Sequence, residues 1–368
     1  MKATVLKENL KEGLLTVEKA ISKSLSLPIL GNVLLSCEKN FVELAATDLE
    51  IGIRYRMLSK NEQEGSVVIP GRVLSQLVGF LPESSVMLEQ RDGELLVVCG
   101  DYSTTVKILS AEEFPLIPSL KGEERCMEVE AQSFCRGLNQ VAGMAGQSQA
   151  RPEIGGVYLV FEKDSAKVVA TDSFRLGEKT LYFKEPSSLE TSFILPQKTA
   201  REIISIFSEK EGKVKACLSA SQVIFDYSSE DLSQPHVQVV SRLIDGEYPR
   251  YQDIIPVIAD RAELMNHVRA SSIFTGKTNE AHFCFQPEEG GMEITSRNTD
   301  VGEHTSFLKG DVAGEHLQVS FNWRFLLEGL GAMKSKDVEM RLSGEDGPAV
   351  LAPQEQEGFL YILMPIKA

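Results

Sequence analysis

Three stretches of the chain place apolar residues at helical intervals with polar residues between them. Leu10, Leu14, Val17 and Ile21 share one face of NLKEGLLTVEKAI, Phe134, Leu138 and Val141 one face of SFCRGLNQVAGMA, and Leu264 and Val268 one face of AELMNHVRASSIF. Spacings of three and four residues suit a helix that lays a single apolar stripe on a sheet. Runs rich in Val, Ile, Leu and aromatic residues follow each one and predict strands. A second helix is predicted in each unit where a strand runs into a breaker: SVVIPGRVLSQLVGFL at Pro70, TSFILPQKTAREIISIF at Pro196 and LQVSFNWRFLLEGLGAM at Asn322. These breakers stand at a constant interval of 126 residues. Proline suits the first helical position and asparagine the N-cap, so the same punctuation falls at the same place three times. A period of this length is too long for a solenoid repeat and means three whole domains, each reading helix, strands, helix, strands. The connectors EEFPLIP and GEYPRYQDIIP put the expected domains at 1–120, 121–255 and 256–368.

Charge changes the picture of what such a chain could bind. With 38 Lys and Arg against 53 Asp and Glu, the net charge is −15. Bulk attraction to nucleic acid is excluded, because phosphate binding needs concentrated cations. A locally basic surface on an acidic body remains open. The six cysteines (Cys37, Cys99, Cys126, Cys135, Cys217, Cys284) form no CxxC pair and are expected to be small buried hydrophobes without disulfides. The N-terminus lacks an apolar run of signal-peptide type, and no segment approaches 18 consecutive apolar residues. The expectation is a cytoplasmic protein with no membrane partner.

Candidate chemistry is sparse. Thr47-Asp48 recurs as Thr171-Asp172, 124 positions later, with Thr299-Asp300 as a looser third copy. Asp and Thr bond their own backbone at turns, so a pair that returns once per domain reads as a fold-specific turn rather than a catalytic acid. The five histidines show no ligand spacing, and no phosphate-binding glycine loop is present. Gly329-Leu330-Gly331 lies in a helical pattern and reads as a close-packing site. No catalytic residue, metal site or cofactor is therefore predicted. Two rival readings stand beside a binding role: a hydrolase using acidic residues, and a repeat-built scaffold that binds peptides without DNA.

Five motifs carry a resemblance along essentially the whole chain: LPILGN at Leu27–Asn32, AATDLEIGI at Ala45–Ile53, ATDSFRL at Ala170–Leu176, IDGEYPRY at Ile244–Tyr251, and the C-terminal YILMPIKA. In this order and on this period, the chain resembles the beta subunit of bacterial DNA polymerase III, the replicative sliding clamp. The resemblance implies an α+β fold of three repeated clamp domains, closed by a head-to-tail homodimer into a ring with helices inside and sheets outside. It implies a non-catalytic processivity factor that encircles double-stranded DNA without regard to sequence. Its implied partners are the replicative polymerase alpha subunit, clamp-loader subunits and other proteins carrying a clamp-binding motif.

The resemblance also implies site residues. A hydrophobic cleft would be walled by Ile154, Thr171, Ser173, Phe174, Arg175, Leu176 and Pro249 on one side, and by Ile362, Leu363, Met364, Pro365 and Ile366 on the other. A closing strand has two faces, so alternate residues of YILMPI belong to the core. Phe174 stands where the family often has His, and Asp253 where some members carry a basic residue; both bear on peptide preference. The basic residues fall largely in the six predicted helices, with Lys23, Arg72, Lys198 and Arg201 as the expected DNA-facing set. Glu12, Glu18, Glu202 and Glu328 share those helices, and periodicity alone leaves the inward face undecided. The subunit interface would join an edge strand carrying Thr104, Val106 and Ile108 to Ile273 and Phe274 of another copy.

Overall fold

The structure is a computed structural model that describes residues 1–22, 27–119, 125–147, 151–184, 190–228, 236–248, 256–354 and 358–366. Its first third holds β1 (Lys2–Leu6), α1 (Lys7–Val17), β2 (Asn32–Glu38), β3 (Phe41–Thr47), β4 (Ile51–Leu58), β5 (Lys60–Gln63), β6 (Gly65–Pro70), α2 (Gly71–Phe80), β7 (Ser85–Arg91), β8 (Glu94–Cys99) and β9 (Tyr102–Lys107). The second holds β10 (Arg125–Glu130), α3 (Ala131–Val141), β11 (Gly156–Phe161), β12 (Ser165–Thr171), β13 (Arg175–Tyr182), β14 (Thr191–Pro196), α4 (Gln197–Phe207), β15 (Lys213–Leu218), β16 (Gln222–Tyr227) and β17 (His236–Arg242). The last holds β18 (Pro256–Asp260), α5 (Arg261–Ser272), β19 (Glu280–Gln286), β20 (Gly291–Asn298), β21 (Gly302–Lys309), β22 (Leu317–Asn322), α6 (Trp323–Gly331), β23 (Asp337–Leu342), β24 (Ala349–Pro353) and β25 (Phe359–Leu363). Apart from β5, each third repeats the same order.

The apolar stripes are buried as their spacing requires. Leu10, Leu14 and Val17 are fully enclosed, as are Leu138, Val141, Leu264 and Val268. Burying a side chain of this size contributes about 1.5–3 kcal/mol, so each stripe is enough to hold a short helix on its sheet. Ile21 lies beyond the end of α1 and is only half-buried. The breakers act somewhat differently from expectation. Asn322 caps α6 through its side chain, which accepts the Arg324 N–H at 3.0 Å. Pro70 and Pro196 end strands and directly precede the first helical residue, one position before the expected one. All three breakers are thus equivalent, and the proline acts by fixing φ where strand turns into helix.

The chain divides into two compact units, Met1–Cys135 with Arg201–Leu243, and Arg136–Ala200 with Ile244–Ala368. In the first, β10-β15-β16-β17 and β4-β3-β2-β6 make one eight-stranded sheet through antiparallel pairing of β17 with β4. Arg54 on β4 donates to Gln238 Oε1 on β17 at 3.2 Å and to the Pro118 carbonyl at 2.8 Å, which adds side-chain bonds across that seam. In the second unit, β14-β11-β12-β13 and β25-β24-β23-β18 join in the same way through β13 and β25. Two sheets are left: β5-β1-β7-β8-β9 in the first unit and β21-β20-β19-β22 in the second.

The structure corrects one expectation about cysteine. Cys126 and Cys217 are directly opposite in the β10–β15 ladder and form a disulfide. Their sequence separation of 91 residues hides a cross-strand pairing that only the register creates. Cys37, Cys99, Cys135 and Cys284 are free, the first three of them buried.

Gly329 of α6 is a close approach. A Cβ there would lie 2.5 Å from Cδ1 of Tyr361, a fully buried ring on β25, whereas a Cβ on Gly331 would meet nothing within 4 Å. Gly329→Ala is therefore expected to cost about 1–3 kcal/mol by overpacking, while Gly331→Ala stays within about 0.5 kcal/mol of the parent. Thermal or urea denaturation of the two variants side by side checks this.

Candidate functional site

The Thr-Asp pairs build the turn on which one wall of the expected cleft stands. Thr171, at the end of β12, donates its hydroxyl to the Arg175 carbonyl at 2.6 Å and accepts the Ser173 N–H at 3.1 Å. Asp172 Oδ1 accepts the N–H groups of Phe174 and Arg175, both at 3.0 Å. The same four-bond turn occurs at Thr47-Asp48, and Leu49 and Ser173 both take the left-handed conformation, with φ of 76° and 75°. The third copy is shifted by one residue: Asn298 supplies the side-chain oxygen, accepting from Asp300 at 2.9 Å. Asp172 thus spends Oδ1 on the backbone and Oδ2 on the Arg175 side chain, so its carboxylate serves the turn.

This turn pushes Phe174 into solvent, 63% exposed. The backbone behind it holds the C-terminal segment, for the Met364 N–H donates to the Phe174 carbonyl at 2.7 Å. Two residues on, the Ile366 N–H donates to the Ser320 carbonyl at 2.8 Å, so Met364–Ile366 is pinned at both ends. Along β13 and β25, Arg175 pairs with Leu363 and Leu176 with Ile362.

Exposure sorts the expected cleft residues. Phe174 and Ser173 are exposed, and Ile362, Met364, Pro365 and Ile366 are half-buried. Ile154, Thr171 and Leu176 are buried, with 4%, 6% and 5% of their surfaces open. Leu363 is a correction: it is wholly enclosed, because strand alternation turns it with Phe359 and Tyr361 into the core. Pro249 and Asp253 lie outside the described residues.

Arg175 is also corrected, from a contact residue to an internal tie. It is 9% exposed, its Nε sits 3.1 Å from Asp172 Oδ2, its Nη1 donates to Glu328 of α6, and its guanidinium lies 4.6 Å from the centre of the Phe325 ring. Burial alone would lower its pKa, but the bond to Glu328 and the influence of Tyr361 outweigh it, and the net direction is upward. The sequence had offered Glu328 only as a stray acid among basic helices. Arg151, which donates to Ser173 Oγ at 3.0 Å, is a further member of this turn, and a lone arginine carries no periodic signal in the sequence.

The other expected surfaces are less uniform. Arg72, Lys198 and Arg201 are exposed on α2 and α4, and Lys23 lies outside the described residues. Among the acids that share those helices, Glu12 pairs with Lys210 at 2.9 Å and Glu328 with Arg175. At the expected interface, Thr104 is exposed on the edge strand β9 and Ile108 follows that strand half-buried. Val106 is corrected: only 8% exposed, it faces its own domain's core. Ile273 is 66% exposed at the end of α5, and Phe274 stacks on His304 of the edge strand β21 at 5.8 Å.

Comparison with known proteins shows the family. Family models described as the N-terminal, central and C-terminal domains of the DNA polymerase III beta subunit match residues 1–118, 128–250 and 248–367. The chain belongs to the DNA polymerase III beta subunit family. Among the beta subunits it resembles are the beta sliding clamps of Synechococcus elongatus, 26% identical, and Bacillus subtilis, 24% identical; each alignment covers all of this chain and 99% or more of the relative. The solved Bacillus subtilis clamp superposes with a TM-score of 0.91 at 24% identity over the whole chain and 99% of its own. A Pseudomonas aeruginosa clamp bound to griselimycin gives 0.89 at 24% over the full length of both. The fold is thus that of three clamp domains, and the function is the family's, a DNA polymerase processivity factor without catalytic turnover. No helix among the described residues is long and apolar enough to cross a membrane.

Because Arg175 is enclosed and Phe174 is not, their truncations separate. Arg175→Ala, which removes a buried side chain and its bonds to Asp172 and Glu328, is expected to cost about 1–2 kcal/mol, the exposed Glu328 being resolvated. Phe174→Ala is expected to stay within about 0.5 kcal/mol of the parent. Chemical denaturation of both variants checks the assignment.

Proposed function

We propose that two copies of this chain pair head to tail into a closed clamp around duplex DNA, and that the Phe174 cleft takes short apolar peptide motifs of replication partners. One observation carries the reading. Within the chain, the last strand of a domain twice pairs with the strand that follows a Thr-Asp turn, as β17 with β4 and β25 with β13. The third pair of equivalent strands, β9 and β21, is left as two open sheet edges. An open edge is a template for another strand, and a heterologous contact between copies makes a ring when the rotation closes. Ile273 and Phe274 beside β21 supply the apolar part of that contact, opposite Thr104 and Ile108.

Enclosure answers the charge problem. A chain of net charge −15 has weak free affinity for DNA, whereas a closed ring is retained because leaving it requires a broken seam. Arg72, Lys198 and Arg201 then need only make loose, sequence-independent phosphate contacts. Partners held in the cleft gain effective concentration along the duplex. The replicative polymerase alpha subunit and clamp-loader subunits are the expected occupants, in the cytoplasm. The Pseudomonas aeruginosa clamp, which takes griselimycin, supports a ligand-accepting surface in this fold.

Sedimentation is expected to give a dimer of the 40.6 kDa chain, and Ile273→Asp a folded monomer. Loaded on nicked circular DNA, the parent should persist through gel filtration and be lost once the circle is cut, and the variant should not be retained at all. Equal retention on linear and circular DNA would overturn the enclosure. For the cleft, Phe174→Ala and Met364→Ala should each weaken binding of a clamp-motif peptide about tenfold, which is ~1.4 kcal/mol. Unchanged affinity in both titrations would place the site elsewhere.

A further inference from the structure

One face of the β21-β20-β19-β22 sheet carries a free thiol and a histidine that are not among the cleft residues. His282 and Cys284 of β19 have Thr295 and Glu293 of β20 as register partners on one side, and Ser320 and Gln318 of β22 on the other. These six side chains therefore share one face. Together with Glu345, Asp346 and Ile366 they line a pocket of about 480 Å³. Cys284 is free and half-buried, and its Sγ lies 3.2 Å from Nε2 of the exposed His316. Gln286 Nε2 donates to the same sulfur at 3.5 Å.

An imidazole at that distance can take the thiol proton, and the Gln286 amide then stabilises the sulfur anion, which is the nucleophilic form. Three carboxylates, Glu293, Glu345 and Asp346, line the pocket, and no Lys or Arg stands among the described lining residues. Groups within a Debye length of about 10 Å concentrate cations and repel anions. We propose that Cys284 and His316 form a thiol-modification site that takes low-molecular-weight disulfides bearing positive charge. Cys284 Sγ attacks one sulfur of the disulfide, whose S–S bond breaks as the mixed disulfide forms. The departing thiolate receives the proton held by His316. The disulfide is itself the oxidant, so no other electron acceptor takes part.

The remaining cysteines give a quiet background. Cys37, Cys99 and Cys135 are buried, and burial pushes the Cys37 thiol up to about 11 and that of Cys135 to about 12. The test uses the full chain in its native state, treated separately with cystamine and with oxidised glutathione. Adducts at Cys284 are timed by intact mass and peptide mapping, with N-acetylcysteine as the free-thiol reference. Cystamine is expected to modify Cys284 at least ten times faster than it modifies the reference, and oxidised glutathione to show no such advantage. His316→Asn, a surface change, should remove about tenfold of the cystamine rate. Glu345→Gln with Asp346→Asn should narrow the gap between the reagents. A Cys284 rate no higher than the reference, or one unmoved by His316→Asn, would overturn the proposal.

Discussion

Backbone hydrogen bonding between strand edges is the constraint on which this molecule rests. A sheet edge leaves N–H and C=O groups without partners, and each domain-sized repeat brings two such edges to its ends. The chain satisfies four of them internally, by running β17 onto β4 and β25 onto β13. Helix stripes, caps and turns serve this arrangement.

The cleft follows from the same seam. Because β13 and β25 are neighbours, the turn before β13 and the segment after β25 must lie side by side, and the Met364–Phe174 bond continues the ladder past the last strand residue. Phe174 is held outward because Thr171 and Asp172 consume the polar groups beneath it. Arg175 then fastens that turn to α6 through Glu328 and Phe325. The exposed apolar surface is therefore mounted on an internally satisfied base, which suits the proposed role of holding short motifs.

Periodicity made the domains legible. Leu10, Leu14 and Val17 announce a helix because burial acts on a 3.6-residue repeat, and the breakers at Pro70, Pro196 and Asn322 mark equivalent junctions even though the prolines sit one residue earlier than their chemistry suggested. What escaped the sequence depends on register between distant strands. Cys126 meets Cys217, and Arg175 meets Glu328, only after sheets have formed. Strand phase explains Leu363: a run of apolar residues at a chain end does not say which of its members face inward, and the pleat turned Leu363 toward the core.

The additional strand β5 lies against β1, so the first sheet has a fifth, polar member, KNEQ, where every other half-sheet has four. Its effect is to make growth directional. With β1 covered, β9 is the margin of that sheet still free to recruit, and a mainly polar strand guards the opposite side. Copies joined through such one-way contacts must either return to their starting point or run on as a fibre. In the head-to-tail assembly proposed above, the meeting of β9 with β21 is consequently also what separates a finite particle from a polymer.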